Sequence, residues 1–224
     1  KKKKKKSINF CKGECMKENK ISMAVIRRLP KYHRYLSQLM DRDINRISSK
    51  ELSKIIGFSA SQIRQDLNNF GGFGQQGYGY NVEALYKEIG KILGLDREYK
   101  TVIVGAGNLG QALANYTNFS RFGYKLQAMF DVNPRLIGLK INDVEVRDVD
   151  ALGNYVREND VDIAYVCTNT SSAQNIADIL CDSGIKAIWN FTPVDLRLKD
   201  GVVAENIHLI ENLFTLSYFL NQDH

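Results

Sequence analysis

The spacing of apolar residues divides the chain into two regimes. Across residues 21–40, Met23, Ile26, Leu29, Leu36 and Leu39 fall near one face at helical spacing, and Pro30 predicts a kink or a fresh helix start. Asp41-Arg-Asp-Ile-Asn45 reads as a turn. Ser48-x-x-Glu51 is a capping-box pattern, opening a short helix that turns Leu52, Ile55 and Ile56 inward and ends at Gly57. Ser59-x-x-Gln62 repeats the pattern, opening a second helix with Ile63 and Leu67 inward. Two short capped helices joined by a glycine-containing turn predict a helix-turn-helix, with residues 21–40 as the third wall of its core. Phe70-Gly-Gly-Phe-Gly-Gln-Gln-Gly-Tyr-Gly-Tyr80 then holds five glycines and four aromatics. Rings are poor choices for a solvated tether, so the stretch predicts a β-hairpin wing with packed aromatics. Residues 81–93, with Val82, Leu85, Ile89 and Ile92 at helical spacing, predict a helix leading into the second regime.

From Thr101 the period changes to alternating strands and helices. Residues 101–104 read as a buried strand, followed by a glycine-rich turn and a helical run over 111–119. Further strands are predicted at 125–130, 144–146, 161–167 and 185–190, with helices at 149–158 and 173–183, the last capped by Gly184. Such alternation predicts an α/β doubly wound parallel sheet with helices on both faces. Residues 205–220 predict a closing amphipathic helix. Its Leu209, Ile210, Leu213, Phe214, Leu216, Phe219 and Leu220 exceed what a peripheral helix needs, so that face packs on the chain's own sheet or, as is rather expected, buries against another subunit.

Length and charge refine this picture. The 224 residues suffice for two modest domains. No run of eighteen apolar residues and no signal peptide stand in the sequence, which points to a cytoplasmic protein without a membrane partner. Cys11, Cys15, Cys167 and Cys181 show no zinc-like double pair, and the last two read as buried free thiols, so no metal is expected. Residues 1–15 carry seven lysines and one glutamate, residues 16–80 eleven basic and five acidic side chains, and residues 81–224 thirteen and nineteen. A basic front before an acidic remainder suggests nucleic acid as the partner of the front half. Residues 1–15 lack any hydrophobic period and read as a disordered leader. That leader is either a basic arm tracking phosphates or a non-native segment, with Lys12-Gly-Glu14 the translation of a ribosome-binding site and Met16 the true start. The expected domains are this leader, 16–80, 81–204 and the helix at 205–224.

Two groups of residues carry candidate chemistry. Gly105-Ala106-Gly107-Asn108-Leu109-Gly110 makes G-x-G-x-x-G after a strand and before a helix. The glycines allow a tight turn, a close backbone approach to a pyrophosphate, and helix–strand packing, while the helix N-terminus offers free N–H groups. Asp131 ends the next strand 21 residues after Gly110, where an acid accepts hydrogen bonds from an adenine ribose. A dinucleotide site follows, and Val132 and Asn133 offer no cation for a 2′-phosphate, favouring NAD(H), with Arg135 the exception. By their place after strand ends, Thr168, Asn169, Asn190, Phe191 and Pro193 are candidates for the nicotinamide end, or else ordinary connecting loops. In the front half, the second capped helix leaves Ser59, Ser61, Gln62, Arg64, Gln65 and Asn68 outside as candidates for reading DNA bases, and Gln75, Gln76 and Gly77 form a wing tip for phosphates or the minor groove. An NAD-dependent oxidoreductase is the rival reading. It lacks a substrate domain, and His33, His208 and His224 supply no acid–base partner beside the glycine loop.

On these motifs, the chain resembles the Rex family of redox-sensing transcriptional repressors from about residue 22 to 220. The likeness rests on Arg-Arg-Leu-Pro at 27–30, Ile-Ser-Ser-Lys-Glu-Leu at 47–52, Gln-Ile-Arg-Gln-Asp-Leu at 62–67 and Phe-Gly-Gly-Phe-Gly at 70–74. Gly-Ala-Gly-Asn-Leu-Gly-Gln-Ala-Leu at 105–113, Phe-Asp-Val-Asn-Pro at 130–134 and Asn-Phe-Thr-Pro-Val at 190–194 continue it. The resemblance implies a homodimer in which each subunit has a winged-helix domain, a Rossmann domain and a C-terminal helix exchanged with its partner. It implies that NADH lowers operator affinity, that NAD+ competes without doing so, and that the operators precede genes of fermentation and NADH reoxidation. It further implies that Arg34, Tyr116 and an acidic residue of the last segment take part in switching. His208 stands where that acid aligns, and Gln65 and Gln76 stand where relatives carry cations, which implies a shallower salt dependence of DNA binding.

Overall fold

Ser22 opens the first helix of the computed structural model, which describes residues 21–70, 74–75 and 78–222. The chain forms two units that part between Leu93 and Gly94. In the first, α1 (Met23–Ile26) is followed by α2 (Leu29–Met40), with Pro30 in its first turn, where a missing N–H leaves no hydrogen bond unmade. Pro30 thus starts a helix and does not kink one. Then come β1 (Arg46–Ile47), α3 (Ser49–Ile56), α4 (Ala60–Asn68), β2 (Gly74–Gln75), β3 (Gly79–Asn81) and α5 (Val82–Ile92). Ser48 and Glu51 make the full capping box of α3, and Gly57 ends that helix in the left-handed region. The second box is half made. The Ser59 hydroxyl accepts from the Gln62 N–H, but the Gln62 side chain turns to Asp66.

The three strands pair antiparallel in the order β1-β3-β2, the expected wing. A Cβ on Gly79 would lie 2.7 Å from the Ile47 carbonyl oxygen, so strand pairing requires glycine there. Phe70 and Tyr80 pack onto the core as expected, whereas Tyr78 is exposed. Met23 and Ile55, expected inward, are exposed as well. The core joins Leu29, Tyr32 and Leu36 to Leu52, Ile63, Leu85 and Ile89. Because α5 contributes to it, the division falls after residue 93 and not after residue 80. Residues 1–15, Cys11, Cys15, Met16, Gln76 and Gly77 lie outside the described residues.

The second unit runs β4 (Tyr99–Val104), α6 (Asn108–Ala114), α7 (Asn118–Arg121), β5 (Tyr124–Asp131), β6 (Lys140–Ile141), β7 (Val144–Asp148), α8 (Leu152–Asn159), β8 (Ile163–Val166), α9 (Thr170–Asp182), β9 (Ala187–Asn190), β10 (Val203–Asn206) and α10 (Leu209–Leu220). The sheet order is β10-β9-β8-β4-β5-β7-β6, parallel except where β6 meets β7. Chain order reverses between β4 and β8, which opens a crevice at the strands' C-terminal ends. Leu152 and Val156 of α8 and Ile176 and Leu180 of α9 cover one face, and Leu113, Ala114 and Phe119 pack on the other.

Two expectations about helix bounds are corrected, and one hairpin was not foreseen. The helical run begins at Asn108 and breaks after Ala114. The β6–β7 hairpin turns on Asn142 and Asp143, both at positive φ, a pairing of turn residues that the apolar pattern alone did not show. Glu205 and Asn206 lie in the edge strand β10, so the final helix starts only at Leu209. No residue of α10 is buried.

Candidate nucleotide cleft and nucleic-acid face

Two glycines of the loop after β4 have separate steric reasons. Gly105 has φ +100°, and a Cβ there would sit 2.6 Å from the Cys167 carbonyl oxygen, because the turn crosses the end of β8 backbone to backbone. A Cβ on Gly110 would sit 2.0 Å from the Gly105 carbonyl oxygen, so α6 can pack this closely only without a side chain. Gly107 faces open space and N-caps α6 without a side-chain hydrogen bond to its first N–H groups. Asp131 is fixed beside the loop. Its Oδ2 accepts from the Ala106 N–H at 2.6 Å and its Oδ1 from the Asn133 N–H at 2.8 Å. Asn108 is exposed and Leu109 half-buried, both in the first turn of α6.

A cleft of about 200 Å³ brings Gly105, Gly107, Asp131, Thr168 and Asn169 together with Val104, Phe130, Val132, Val149, Cys167, Ser172 and Ile176. The last seven were missed from sequence. Val132 and Cys167 immediately follow strands and were findable on that signal, whereas Val149 and Ser172 arrive only through the tertiary fold. The lining includes no lysine or arginine. Thr168 Oγ1 is buried without a hydrogen-bond partner, a polar group that a ligand hydroxyl or amide can satisfy. A glycine turn open to solvent at Gly107, a carboxylate beside it, apolar walls and an orphaned hydroxyl together fit an adenine dinucleotide. Burial pushes the Cys167 thiol up to about 12, so it stays neutral at ordinary pH.

The remaining candidates part company. Asn190 is fully buried: its Nδ2 donates to the Val194 carbonyl and to Asn206 Oδ1, and its Oδ1 accepts from the Thr192 N–H and hydroxyl. With both donors and both lone pairs used, it holds the loop after β9 and has nothing left for a ligand. That corrects its expected place in the site. Asn169 caps α9 by accepting from the Ser172 N–H, and Pro193 is exposed. Phe191 lies 4.5 Å from the Trp189 ring, and ring contacts continue from Trp189 to Phe119 at 5.7 Å and from Phe119 to Tyr116 at 4.8 Å. Tyr116 is 53% exposed and lines a second cavity, of about 380 Å³, with Thr101, Leu113, Phe119, Lys125 and Asn142 among its walls. It is therefore not a wall of the nucleotide cleft, as expected, but the far end of this aromatic series. Arg34 is exposed on α2 in the first unit, its guanidinium 5.1 Å from the Tyr35 ring centre. His208 precedes α10, with Nδ1 2.9 Å from Glu211 Oε1.

On α4, Ser59, Ser61, Arg64, Gln65 and Asn68 are exposed and Gln62 is half-buried. Ser59 Oγ lies 3.0 Å from Ser61 Oγ, and Arg64 Nη1 donates to Ser49 Oγ at 3.0 Å. Gln75 is placed in β2 by its backbone. Beneath this face lies a group that sequence reasoning missed, the fully buried Asp66. Its Oδ2 accepts from Arg28 Nε at 2.6 Å and the Tyr32 hydroxyl at 2.8 Å, and its Oδ1 from Arg28 Nη2 at 2.7 Å and Gln62 Nε2 at 2.8 Å. Burial raises its pKa, but the hydrogen bonds from Arg28, Gln62 and Tyr32 outweigh that and hold it below the usual carboxylate range. An acid between the inward-facing Ile63 and Leu67 was the available signal.

Residues 20–68 match the family model "Putative DNA-binding protein N-terminus", and residues 96–194 match that of the CoA binding domain. A redox-sensing transcriptional repressor Rex from Clostridioides difficile (strain 630) is 64% identical over 202 residues, 90% of this chain and 96% of that protein. Two solved structures are similar. RSP in complex with beta-NAD+ and operator DNA superposes with a TM-score of 0.87 at 60% identity, covering 92% of this chain and 95% of that one. RSP in complex with beta-NADH gives 0.86 at 57% identity, covering 92% and 97%. Among the described residues no helix is long and apolar enough to cross a membrane. The chain belongs to the Rex family of redox-sensing transcriptional repressors.

Proposed function

We propose that the chain is a homodimeric repressor that holds operator DNA through α4 and the wing and releases it when NADH occupies the cleft after β4. The observation that carries this reading is the pairing of a helix-turn-helix unit with a glycine-loop cleft that has Asp131 but no cation. Gly107 lets the backbone approach the pyrophosphate, Asp131 accepts from the adenine ribose, and Thr168 Oγ1 gains the partner it lacks. The same carboxylate repels a 2′-phosphate, which selects NAD(H) over NADP(H).

Sensing needs a place where the charge of the ring matters. Trp189 and Phe191 form an apolar aromatic surface at the C-terminal end of β9, leading through Phe119 to Tyr116. Such a surface accepts the neutral reduced ring and disfavours the cationic oxidised one. Occupation by the reduced form favours an arrangement in which the two α4 helices no longer match successive major grooves. A hundredfold loss of DNA affinity requires only about 2.7 kcal/mol of coupling. Arg34, Tyr116 and the His208–Glu211 pair are the proposed switching groups.

Enzymatic hydride transfer is not part of this reading. No histidine lines the cleft, and burial keeps the Cys167 thiol neutral. The cytoplasmic pool of NADH is the proposed signal, with fermentation and NADH-reoxidation genes as targets.

Trp189, the single tryptophan of the chain, reports the reading directly. Added NADH is expected to quench tryptophan emission and gain emission itself by energy transfer. NAD+ reverses the transfer, and NADPH at the same concentration gives little. A flat signal with NADH, or equal transfer with NADPH, would remove the assignment of this cleft to NAD(H).

A further inference from the structure

The buried carboxylate under α4 constrains how that helix can read a base. Gln62 is half-buried, and its Nε2 donates to Asp66 Oδ1 at 2.8 Å. The orientation of the amide is forced, since Asp66 is ionised by its two hydrogen bonds to Arg28 and an ionised carboxylate only accepts. Turning the amide over would set Gln62 Oε1 against a carboxylate oxygen in a buried network. The tethered amide is left with its carbonyl and one N–H. An unconstrained glutamine can present either end to a base. This one cannot.

We infer that Asp66 is a positioning residue for base recognition, holding the Gln62 amide so that it reads adenine and rejects guanine at one base pair of each half-site. In the major groove adenine offers a donor at N6 beside an acceptor at N7, which matches a carbonyl and an N–H side by side. Guanine offers two acceptors, O6 and N7, and would face the Gln62 carbonyl with a lone pair. Arg28 and Tyr32 extend the restraint to α2: Arg28 precedes that helix, Tyr32 lies on it, and both donate to Asp66, so the rotation of α4 about its axis is fixed by the same carboxylate. Arg64, bound to Ser49 Oγ, is held by a single hydrogen bond to an exposed hydroxyl and is free to leave it.

This inference rests on the first unit being the operator-binding unit, and the test separates the two. Full-length protein selects from a pool of random-sequence DNA duplexes, and bound duplexes are sequenced for wild type, Gln62→Ala, Asp66→Asn and Gln65→Ala. Wild type is expected to enrich a two-fold symmetric motif with adenine preferred over guanine by about tenfold at one position of each half-site. Gln62→Ala flattens that position and leaves the others intact. Asp66→Asn, with Gln62 still present but free to turn over, flattens the same position, while Gln65→Ala leaves it unchanged. Gln62 is not core, so its variant folds even if Asp66→Asn does not, and the flattened position in Gln62→Ala and its adenine preference in wild type then decide the matter. A wild-type motif that Gln62→Ala leaves unaltered, or one with guanine preferred where Gln62→Ala acts, overturns the inference alone. No enriched motif with wild type overturns the operator reading beneath it.

Discussion

Deleting residues 209–224 is expected to turn a dimer into a monomer and to weaken operator binding by about a hundredfold or more, the range lost when two linked half-site contacts become independent. The reason is the exposure of α10. Leu209, Ile210, Leu213, Phe214, Leu216, Tyr218, Phe219 and Leu220 are 52–71% exposed in the single chain. Burying one such side chain contributes roughly 1.5–3 kcal/mol, and a micromolar dimer needs only about 8 kcal/mol in all. A helix this apolar, with no buried residue on its own subunit, stabilises an assembly or invites aggregation. Because all walls of the nucleotide cleft come from residues 104–176, the shortened chain should still bind NADH, seen as energy transfer from Trp189. Sedimentation equilibrium reads the assembly state. A dimer that survives the deletion with operator affinity intact would mean that another surface joins the subunits.

Asp131→Ala is expected to weaken NADH binding about 10- to 100-fold while leaving operator binding in place, since charge-assisted hydrogen bonds contribute about 1.5–3 kcal/mol. Two effects combine. The ribose loses its acceptor, and the Ala106 N–H, which donates to Asp131 Oδ2 at 2.6 Å, loses the partner that holds the loop. The discrimination against NADPH should shrink in the same variant, because the charge that repels a 2′-phosphate is gone. Energy transfer from Trp189 measures both ligands. Operator release by NADH at its wild-type midpoint in this variant would count against Asp131 as the ribose acceptor.

What could be read from the chain beforehand was whatever local sterics or capping decide. Gly105 and Gly110 announce themselves because any side chain would strain a left-handed turn or clash where α6 meets its own loop, and Asp131 follows at the spacing of one strand–helix–strand unit. Ser48 and Glu51 sit within one turn of each other, so the first box was legible too. Gln62 was half legible. Its backbone meets Ser59 as the pattern requires, but its side chain finds a better acceptor in Asp66, which only the packing of α2 on α4 makes a buried anion. Asn190 failed for a related reason, since position after a strand says nothing about whether neighbours such as Thr192 and Asn206 have already used its amide. The edge strand β10 has no alternation of buried and exposed residues to betray it. Helix α5 reads the same from sequence whichever core it joins.

The most direct test of a redox-sensing repressor is release of DNA. Labelled duplex carrying the motif enriched from the random pool is bound by full-length protein and titrated separately with NADH, NAD+ and NADPH. NADH should release the duplex, NAD+ should leave it bound while raising the NADH concentration needed for release, and NADPH should have little effect. Release to the same extent by all three nucleotides, or none by NADH at concentrations that saturate the Trp189 signal, would contradict the sensor.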